Sequence, residues 1–211
     1  AEDATSPIMV ITSSAGGTGS GSCPSLIHSL MDMGLKVIPI IITPNYDDPD
    51  AYHLNSTDLM IELDEVASKH EEALTYAIFR NEKSSDYTKV NKDVVDFIEV
   101  ITGGKYGDSK SEKDTIDPSD LETILSTPGR IIATSVHSDS MANLKRDIMR
   151  NLLSGTQPTW DENAISNVTL MVAVSLKSMY ADADIADIID ETCGRFPHTY
   201  DIYRHVDKVD N

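Results

Sequence analysis

The sequence predicts an α/β fold built on a parallel β-sheet. Two apolar, β-branched segments, residues 7–14 (PIMVITSS) and 37–43 (VIPIIIT), flank a segment of helical periodicity at residues 24–33. Continuous apolar runs of this kind are typical of strands that are buried on both faces. A strand, a helix and a second strand in this order favour a right-handed parallel βαβ unit.

The rest of the chain continues this alternation. After a loop at 44–50 we expect, in order, a helix from the cap residues 56–58 to about Lys69, a strand at 73–79, an amphipathic helix at 86–101, a loop at 103–113 and a short helix at 116–125. Residues 128–211 are predicted to form a second domain, with strands at 130–136, 168–176 and 200–206 and helices at 141–153 and 185–192.

The charge of the chain excludes several classes of partner. Lysine and arginine number 17 and aspartate and glutamate number 35, which gives a formal net charge of −18. A chain this acidic disfavours direct binding to nucleic acid and to anionic membrane lipid, because both require Lys and Arg surfaces. No apolar run reaches the roughly 18 residues of a membrane span. Binding of a small anion such as a nucleotide is compatible with this negative charge, because backbone N–H groups and a metal ion can neutralise the anion.

Cysteine and histidine usage is uninformative about catalysis. The two cysteines, Cys23 and Cys193, are too few for a disulfide framework, so we expect a protein of the reducing cytoplasm. Cys23 is expected to be a buried thiol rather than a nucleophile. The six histidines are scattered without the spacing of a zinc motif, and we therefore predict no metal site formed by protein side chains.

A glycine-rich segment at residues 16–21 (GGTGSG) separates the first strand from the first helix. Such a loop can turn several N–H groups towards an anion, while the dipole of the following helix adds a favourable field. The segment is not a Walker loop, because no Gly-Lys-Ser/Thr follows, and its G-x-G-x-G spacing is not the dinucleotide fingerprint. A linker or a tight turn is the alternative interpretation.

Residues 16–21 resemble the GGTGSG phosphate loop of the tubulin/FtsZ GTPase superfamily. Four further motifs follow in the order of that family. Residues 80–82 (RNE) resemble the Asn-Glu pair whose Asn reads guanine, and residues 87–91 (YTKVN) resemble the start of the long central helix. Residues 116–120 (IDPSD) resemble the acidic synergy loop. Residues 128–131 (PGRI) resemble the Pro-x-Arg-Ile motif that precedes the second domain.

Each of these motifs has a simpler explanation when it stands alone. Asn81 could cap a turn, Tyr87 and Asn91 could be ordinary helix surface, and Asp117 and Asp120 could cap a helix. Their joint occurrence in family order identifies the chain as tubulin/FtsZ-like. The short span from Asn81 to Asn91 is most similar to phage-encoded tubulins of the PhuZ type, with plasmid-partitioning TubZ proteins as the nearest alternative.

The resemblance implies a site for GTP or GDP with Mg²⁺. The residues expected to bind the nucleotide are Ala15, Gly16, Gly17, Thr18, Gly19, Ser20, Gly21, Asp48, Asn81, Tyr87 and Asn91. Among the acidic residues near the ribose, Asp47 and Asp50 stay alternatives to Asp48. Asp117 and Asp120 are the expected catalytic residues, with Asp120 the stronger candidate, and the resemblance implies that they reach the nucleotide of the next subunit in a head-to-tail filament.

The resemblance also implies a domain organisation. Residues 1–101 correspond to the later part of a Rossmann-like GTP-binding domain with the long central helix, 102–127 to the synergy loop and a short helix, and 128–211 to part of a smaller α+β activation domain. About a hundred residues of the family's N-terminal half, by the expected size of a two-domain GTPase, and a C-terminal portion have no counterpart here. We therefore expect the chain to be a fragment.

The function implied is that of a cytoskeletal GTPase that polymerises in a bacterial cytoplasm, the host's if the protein is phage-encoded. Its expected partners are further copies of itself and an adaptor protein that links the filament to DNA, with no direct contact to nucleic acid or membrane. Two alternatives belong to other classes. One is a tubulin-fold interaction protein without GTPase activity, and the other is an unrelated α/β domain that binds a different phosphate ligand.

Overall fold

The computed structural model of the chain describes residues 7–70, 74–82, 86–102, 125, 129–131, 143, 146–147, 168–175 and 199–207. Its elements are β1 (Ile8–Ser13), α1 (Gly17–Asp32), β2 (Val37–Thr43), α2 (Asp50–Lys69), β3 (Thr75–Arg80), α3 (Thr88–Ile101), β4 (Gly129–Ile131), β5 (Val168–Ser175) and β6 (Thr199–Asp207). None of the helices in these ranges is long and apolar enough to cross a membrane.

Strands β1 to β4 form one parallel sheet in the order β1-β2-β3-β4. Ile41 on β2 lies opposite Thr12 on β1 and Ile78 on β3. Residues Val37 to Ile41 of β2 are all buried, as expected for a strand that is covered on both faces. The predicted parallel α/β arrangement is confirmed, and it brings the carboxyl ends of β1, β2 and β3 to one edge of the sheet.

The described elements divide between two compact units, and the division falls within α3, between Val95 and Asp96. The first unit contains the four-stranded sheet with α1 and α2, and the second contains β5 and β6, which pair in parallel. The second domain was predicted to start at residue 128, but one strand after that point belongs to the first unit. Gly129–Ile131 form β4, which pairs with β3, so they belong to the first unit.

Helix α1 begins at Gly17, seven residues before the predicted start at Pro24. The serine hydroxyls within the glycine-rich segment bond to carbonyls four residues earlier, Ser20 Oγ to Gly16 O at 2.9 Å and Ser22 Oγ to Thr18 O at 2.7 Å. The segment is therefore the first turns of a helix and not an extended loop. Contacts with β1 and β2 outweigh the poor helix propensity of glycine.

Helix α2 also begins earlier than predicted, at Asp50 instead of residues 56–58. Pro49 occupies the N-cap position and Asp50 places a negative charge in the first turn, which the helix dipole favours. The hydroxyl of Thr57, predicted to help cap the helix, instead donates to His53 O at 3.0 Å inside it.

Glycine is required at position 34, where the predicted end of α1 is confirmed. Gly34 adopts a φ of 74°, and its N–H donates to Met31 O at 2.8 Å. The N–H of Leu35 donates to Leu30 O at 3.1 Å. These two bonds form a Schellman motif, which satisfies the last carbonyls of the helix.

The hydrophobic core of the first unit lies where α1 and α2 pack against one face of the sheet. Its buried members are Cys23, Ile27, Val37, Ile41, Leu59, Leu63, Val66 and Ile78. Cys23 is 3% exposed, and burial raises the pKa of its thiol. The prediction of a buried thiol at this position is confirmed.

Gly19 is the point of closest approach between α1 and the end of β1. A Cβ atom at this position would lie 2.8 Å from Ser13 O and 2.8 Å from Thr12 Oγ1. A backbone carbonyl cannot move aside as a flexible side chain can. Only glycine therefore fits here with this spacing of helix and strand. By contrast, a Cβ atom at Gly21 would meet nothing within 4 Å.

We predict that Gly19→Ala and Gly21→Ala change stability in opposite directions. The Gly19→Ala variant has to move α1 away from β1 and should lose about 1–3 kcal/mol of unfolding free energy. Gly21→Ala fills open space on a helix and should gain up to about 1 kcal/mol. Urea denaturation of both variants and of the parent protein measures the difference. Equal effects of the two substitutions would contradict the close approach at Gly19.

Candidate functional site

The candidate site lies at the carboxyl edge of the four-stranded sheet, where the segments after β1, β2 and β3 begin. Backbone hydrogen bonds connect the ends of neighbouring strands there. The N–H of Ser14 donates to Ile42 O at 2.9 Å, and the N–H of Asn81 donates to Thr43 O at 3.0 Å. Ligands of open parallel sheets bind at this edge. The structure thus brings together the glycine-rich segment, the loop after β2 and Asn81.

The N-terminus of α1 has the properties of an anion site. Gly16 is the N-cap, with φ −88° and ψ 137°, and the first turn contains no acidic side chain. The N–H groups of that turn have no partner within the helix, and they carry the positive end of its dipole. Added Cβ atoms at Gly16 and Gly17 would meet nothing within 4 Å. An anion can therefore approach this backbone without a steric barrier.

Side chains of α2 hold the segment between β1 and α1 in place. Ser14 is fully buried, and its hydroxyl pairs with the hydroxyl of Ser56 at 2.8 Å. Asn55 Nδ2 donates to Ala15 O at 2.8 Å. Sequence reasoning assigned residues 56–58 to a helix cap and missed these contacts. The polar Asn55-Ser56 pair one to two turns into α2 is the signal that could have found them.

The loop between β2 and α2 is organised by Asp48. Its carboxylate accepts the N–H of Asn45 at 2.8 Å, and Asn45 O accepts the N–H of Asp48 at 3.2 Å. Asn45 Nδ2 also donates to Asn81 O at 3.2 Å. Asp48 is buried, whereas Asp47 and Asp50 are exposed. Of the three acidic candidates, Asp48 is the one that closes the turn onto Asn45, and Asn45 in turn links the loop to the end of β3.

The predicted base-reading residues differ in their accessibility. Asn81 is 1% exposed, so its amide is covered by protein atoms. Tyr87 is 48% exposed and Asn91 is also exposed. The N–H of Asn91 donates to Tyr87 O at 2.9 Å, which places the two residues one helical turn apart. Tyr87 and Asn91 can therefore offer an aromatic face and an amide edge to the same ligand.

Two cationic side chains near this edge, those of Lys89 and Arg80, were given no role by the sequence prediction. Lys89 Nζ pairs with Glu82 at 3.0 Å and with Asp93 at 3.4 Å, which links the end of β3 to the start of α3. Partial burial lowers the pKa of Lys89, but its hydrogen bonds and the attraction of both carboxylates outweigh that effect and raise the pKa. The guanidinium of Arg80 lies 4.3 Å from the ring centroid of Tyr46.

The predicted nucleotide-binding residues lie between β1 and the first turns of α1 (residues 15–21), in the loop after β2 (Asp48), directly after β3 (Asn81) and at the start of α3 (Tyr87 and Asn91). The two predicted catalytic residues, Asp117 and Asp120, lie outside the described residues. The arrangement can bind an anion at backbone N–H groups and a planar group beside Tyr87.

Comparison with solved structures identifies the fold. The chain is similar to TubZ of Clostridium botulinum phage c-st, with a TM-score of 0.64, 13% identity, and coverage of 94% of this chain and 61% of that one. It is similar to GDP-form protofilaments of TubZ from Bacillus thuringiensis serovar israelensis, with a TM-score of 0.68, 18% identity, and coverage of 99% and 59%. For CetZ from Methanosaeta thermophila the TM-score is 0.61, the identity 17%, and the coverage 95% and 57%.

The chain spans about three fifths of the length of these structures. No protein-family model and no curated protein sequence matches it. The likeness to the solved structures nevertheless extends over nearly the whole chain and over both units. The chain therefore has a tubulin/FtsZ-like fold and resembles the TubZ proteins of phages and plasmids.

Proposed function

We propose that this protein binds guanine nucleotide at the carboxyl edge of its first sheet, hydrolyses GTP and polymerises head to tail. The observation that carries the proposal is the N-terminus of α1, which follows β1 closely and where Cβ atoms added at Gly16 and Gly17 would meet nothing within 4 Å. The GDP-form protofilaments of a similar TubZ support the same nucleotide and the same mode of assembly.

In this proposal residues 15–21 bind the phosphates through backbone N–H groups. Asn55 donates a hydrogen bond to Ala15 O, and Ser14, which precedes the segment, donates one to Ser56 Oγ. These bonds hold the segment in position, so little ordering remains to be done when the anion binds. Asp48 positions the loop beside the ribose by closing its turn onto Asn45. Mg²⁺ bound with the nucleotide would offset charge on the phosphates, and none of the described side chains is assigned to it.

The guanine base is proposed to stack on Tyr87 and to accept or donate hydrogen bonds at Asn91. The salt bridges of Lys89 orient the first turn of α3, which contains Asn91 and directly follows Tyr87. Asn81 supports this site from within. Its N–H donates to Thr43 O at the end of β2, and its carbonyl accepts a hydrogen bond from Asn45 Nδ2. In this proposal Asn81 therefore sets the distance between the regions that bind the base and the ribose.

Hydrolysis is proposed to depend on a neighbouring subunit. Asp120, with Asp117 beside it in sequence, would align and polarise the water that attacks the γ-phosphate of the adjacent subunit's GTP. An interface between two different surfaces of the same chain does not close on itself and therefore produces a filament.

The cellular role proposed is to position phage or plasmid DNA in a bacterial cytoplasm. The formal net charge of −18 makes a direct grip on DNA unfavourable, so an adaptor protein would join filament and DNA.

We predict that Tyr87→Ala weakens GTP binding about tenfold, because base stacking on an aromatic ring contributes on the order of 1–3 kcal/mol. Tyr87→Phe keeps the ring and should bind as the parent does. Asn91→Ala should reduce the preference for GTP over ATP, because it removes a hydrogen bond to the base edge. Titration with fluorescent GTP and ATP analogues measures all three effects. Equal affinity of the parent protein for both nucleotides would refute the assignment of the base site.

We predict that Asp120→Asn lowers phosphate release at least a hundredfold while the Kd for GTP is unchanged. In the parent protein, phosphate release per subunit should rise steeply with protein concentration, because the acidic residue comes from another subunit. The matched control is Asp108→Asn, the same substitution in the segment 103–113 that the sequence predicts to be a loop, and this variant should hydrolyse GTP normally. A rate per subunit that does not change with concentration would rule out activation by assembly.

A further inference from the structure

Two histidines and an aspartate meet at the C-terminal ends of α1 and α2, far from the glycine-rich segment. His28 and Asp32 lie one turn apart on α1, and His70 is the C-cap residue of α2. His28 and His70 are 42 positions apart in the sequence. The sequence prediction of no metal site considered spacing along the chain, and this cluster forms only when the two helices pack together.

The three side chains converge on one small volume. His28 Nδ1 lies 2.7 Å from His70 Nε2, and the two rings meet edge to face with their centroids 4.9 Å apart. Asp32 Oδ1 lies 3.7 Å from His70 Nε2, and Asp32 Oδ2 lies 3.7 Å from His28 Nε2. One ligand atom from each residue falls within 4.8 Å of the other two.

These separations suit a first-row transition metal ion. Bonds of about 2.0–2.1 Å to imidazole nitrogen and carboxylate oxygen in a tetrahedral site place ligand atoms about 3.3 Å apart. His70 Nε2 lies 2.7 Å from His28 Nδ1 and 3.7 Å from Asp32 Oδ1, on either side of that value. One ligand atom from each residue lies within 4.8 Å of the other two, so side-chain rotation can bring all three to one ion. Two imidazoles and one carboxylate favour Zn²⁺ and its neighbours over Mg²⁺ or Ca²⁺, which prefer oxygen ligands.

The surroundings favour a cation as well. Both helices end at this cluster, and the C-terminal end of a helix carries the negative end of its dipole. The last turn of α1 has no basic residue, and the basic residue in the last turn of α2, Lys69, is exposed. The side chain of His70 is 15% exposed, whereas those of His28 and Asp32 are 42% and 59% exposed. The site is therefore anchored on the inner side and open to solvent on the outer side.

We propose that His28, Asp32 and His70 bind a divalent transition metal ion of the Zn²⁺ class, with solvent in the fourth position. The ion cross-links the ends of α1 and α2. The cluster lies at the opposite end of α1 from the glycine-rich segment and shares no residue with the proposed nucleotide site.

Thermal unfolding of the purified protein with added metal tests the proposal. Zn²⁺ at a hundred times its Kd should raise the Tm by roughly 5–10 °C, and Mg²⁺ at the same concentration should leave it unchanged. Co²⁺ should bind with the intense visible absorption of a four-coordinate site that contains nitrogen ligands. A Tm that Zn²⁺ does not raise would overturn the proposal and leave the cluster as a hydrogen-bonded pair of histidines.

Three variants separate the cluster from other binding of Zn²⁺. Asp32→Asn keeps the bond between the two imidazoles and should weaken Zn²⁺ binding at least tenfold in calorimetric titration. His70→Gln should abolish the Co²⁺ absorption. The control is His53→Gln, which removes a histidine from α2 outside the cluster and should bind Zn²⁺ as the parent does. If Asp32→Asn binds with undiminished affinity, or if His53→Gln loses binding, the assignment of these ligands is wrong.

Discussion

The contact on which the site depends is the close approach of α1 to the end of β1. At Gly19 the helix backbone lies so near Ser13 O that no side chain fits between them. This spacing directs the first N–H groups of α1 past the strand end and into the space at the edge of the sheet. A larger residue at this position would tilt the helix away, and the orientation of the anion site would change with it.

The three segments at the edge are joined by polar contacts rather than by apolar packing. Ser14 and Ala15 are tied to α2, and Asn45 connects Asp48 to the end of β3. Buried polar groups of this kind contribute modestly to stability when they are paired, but leaving one unpaired is costly. The edge is therefore shaped before a ligand arrives, and a defect in one segment affects the next.

Much of the fold could be predicted from the sequence because its strands are strongly apolar. The bounds of β2 match the prediction, and the ends of β1 and β3 differ from it by one or two residues. The starts of α1 and α2 were wrong because local rules assign glycine and serine to turns, whereas contacts with the sheet make them helical. Cys23 could be predicted because burial of a small thiol is common. The pairing of Ser14 with Ser56 and the meeting of His28 with His70 could not, because each depends on how two distant segments pack.

Helices α1 and α2 are fastened to each other at both ends. At the sheet edge, Ser14, which precedes α1, is hydrogen-bonded to Ser56 of α2, and His28 contacts His70 where the helices end. With 16 and 20 residues, the two helices are about 24 and 30 Å long. Contacts near both ends oppose sliding of one helix along the other. The relative position of the two helices is therefore held at two points that lie near opposite ends of α1.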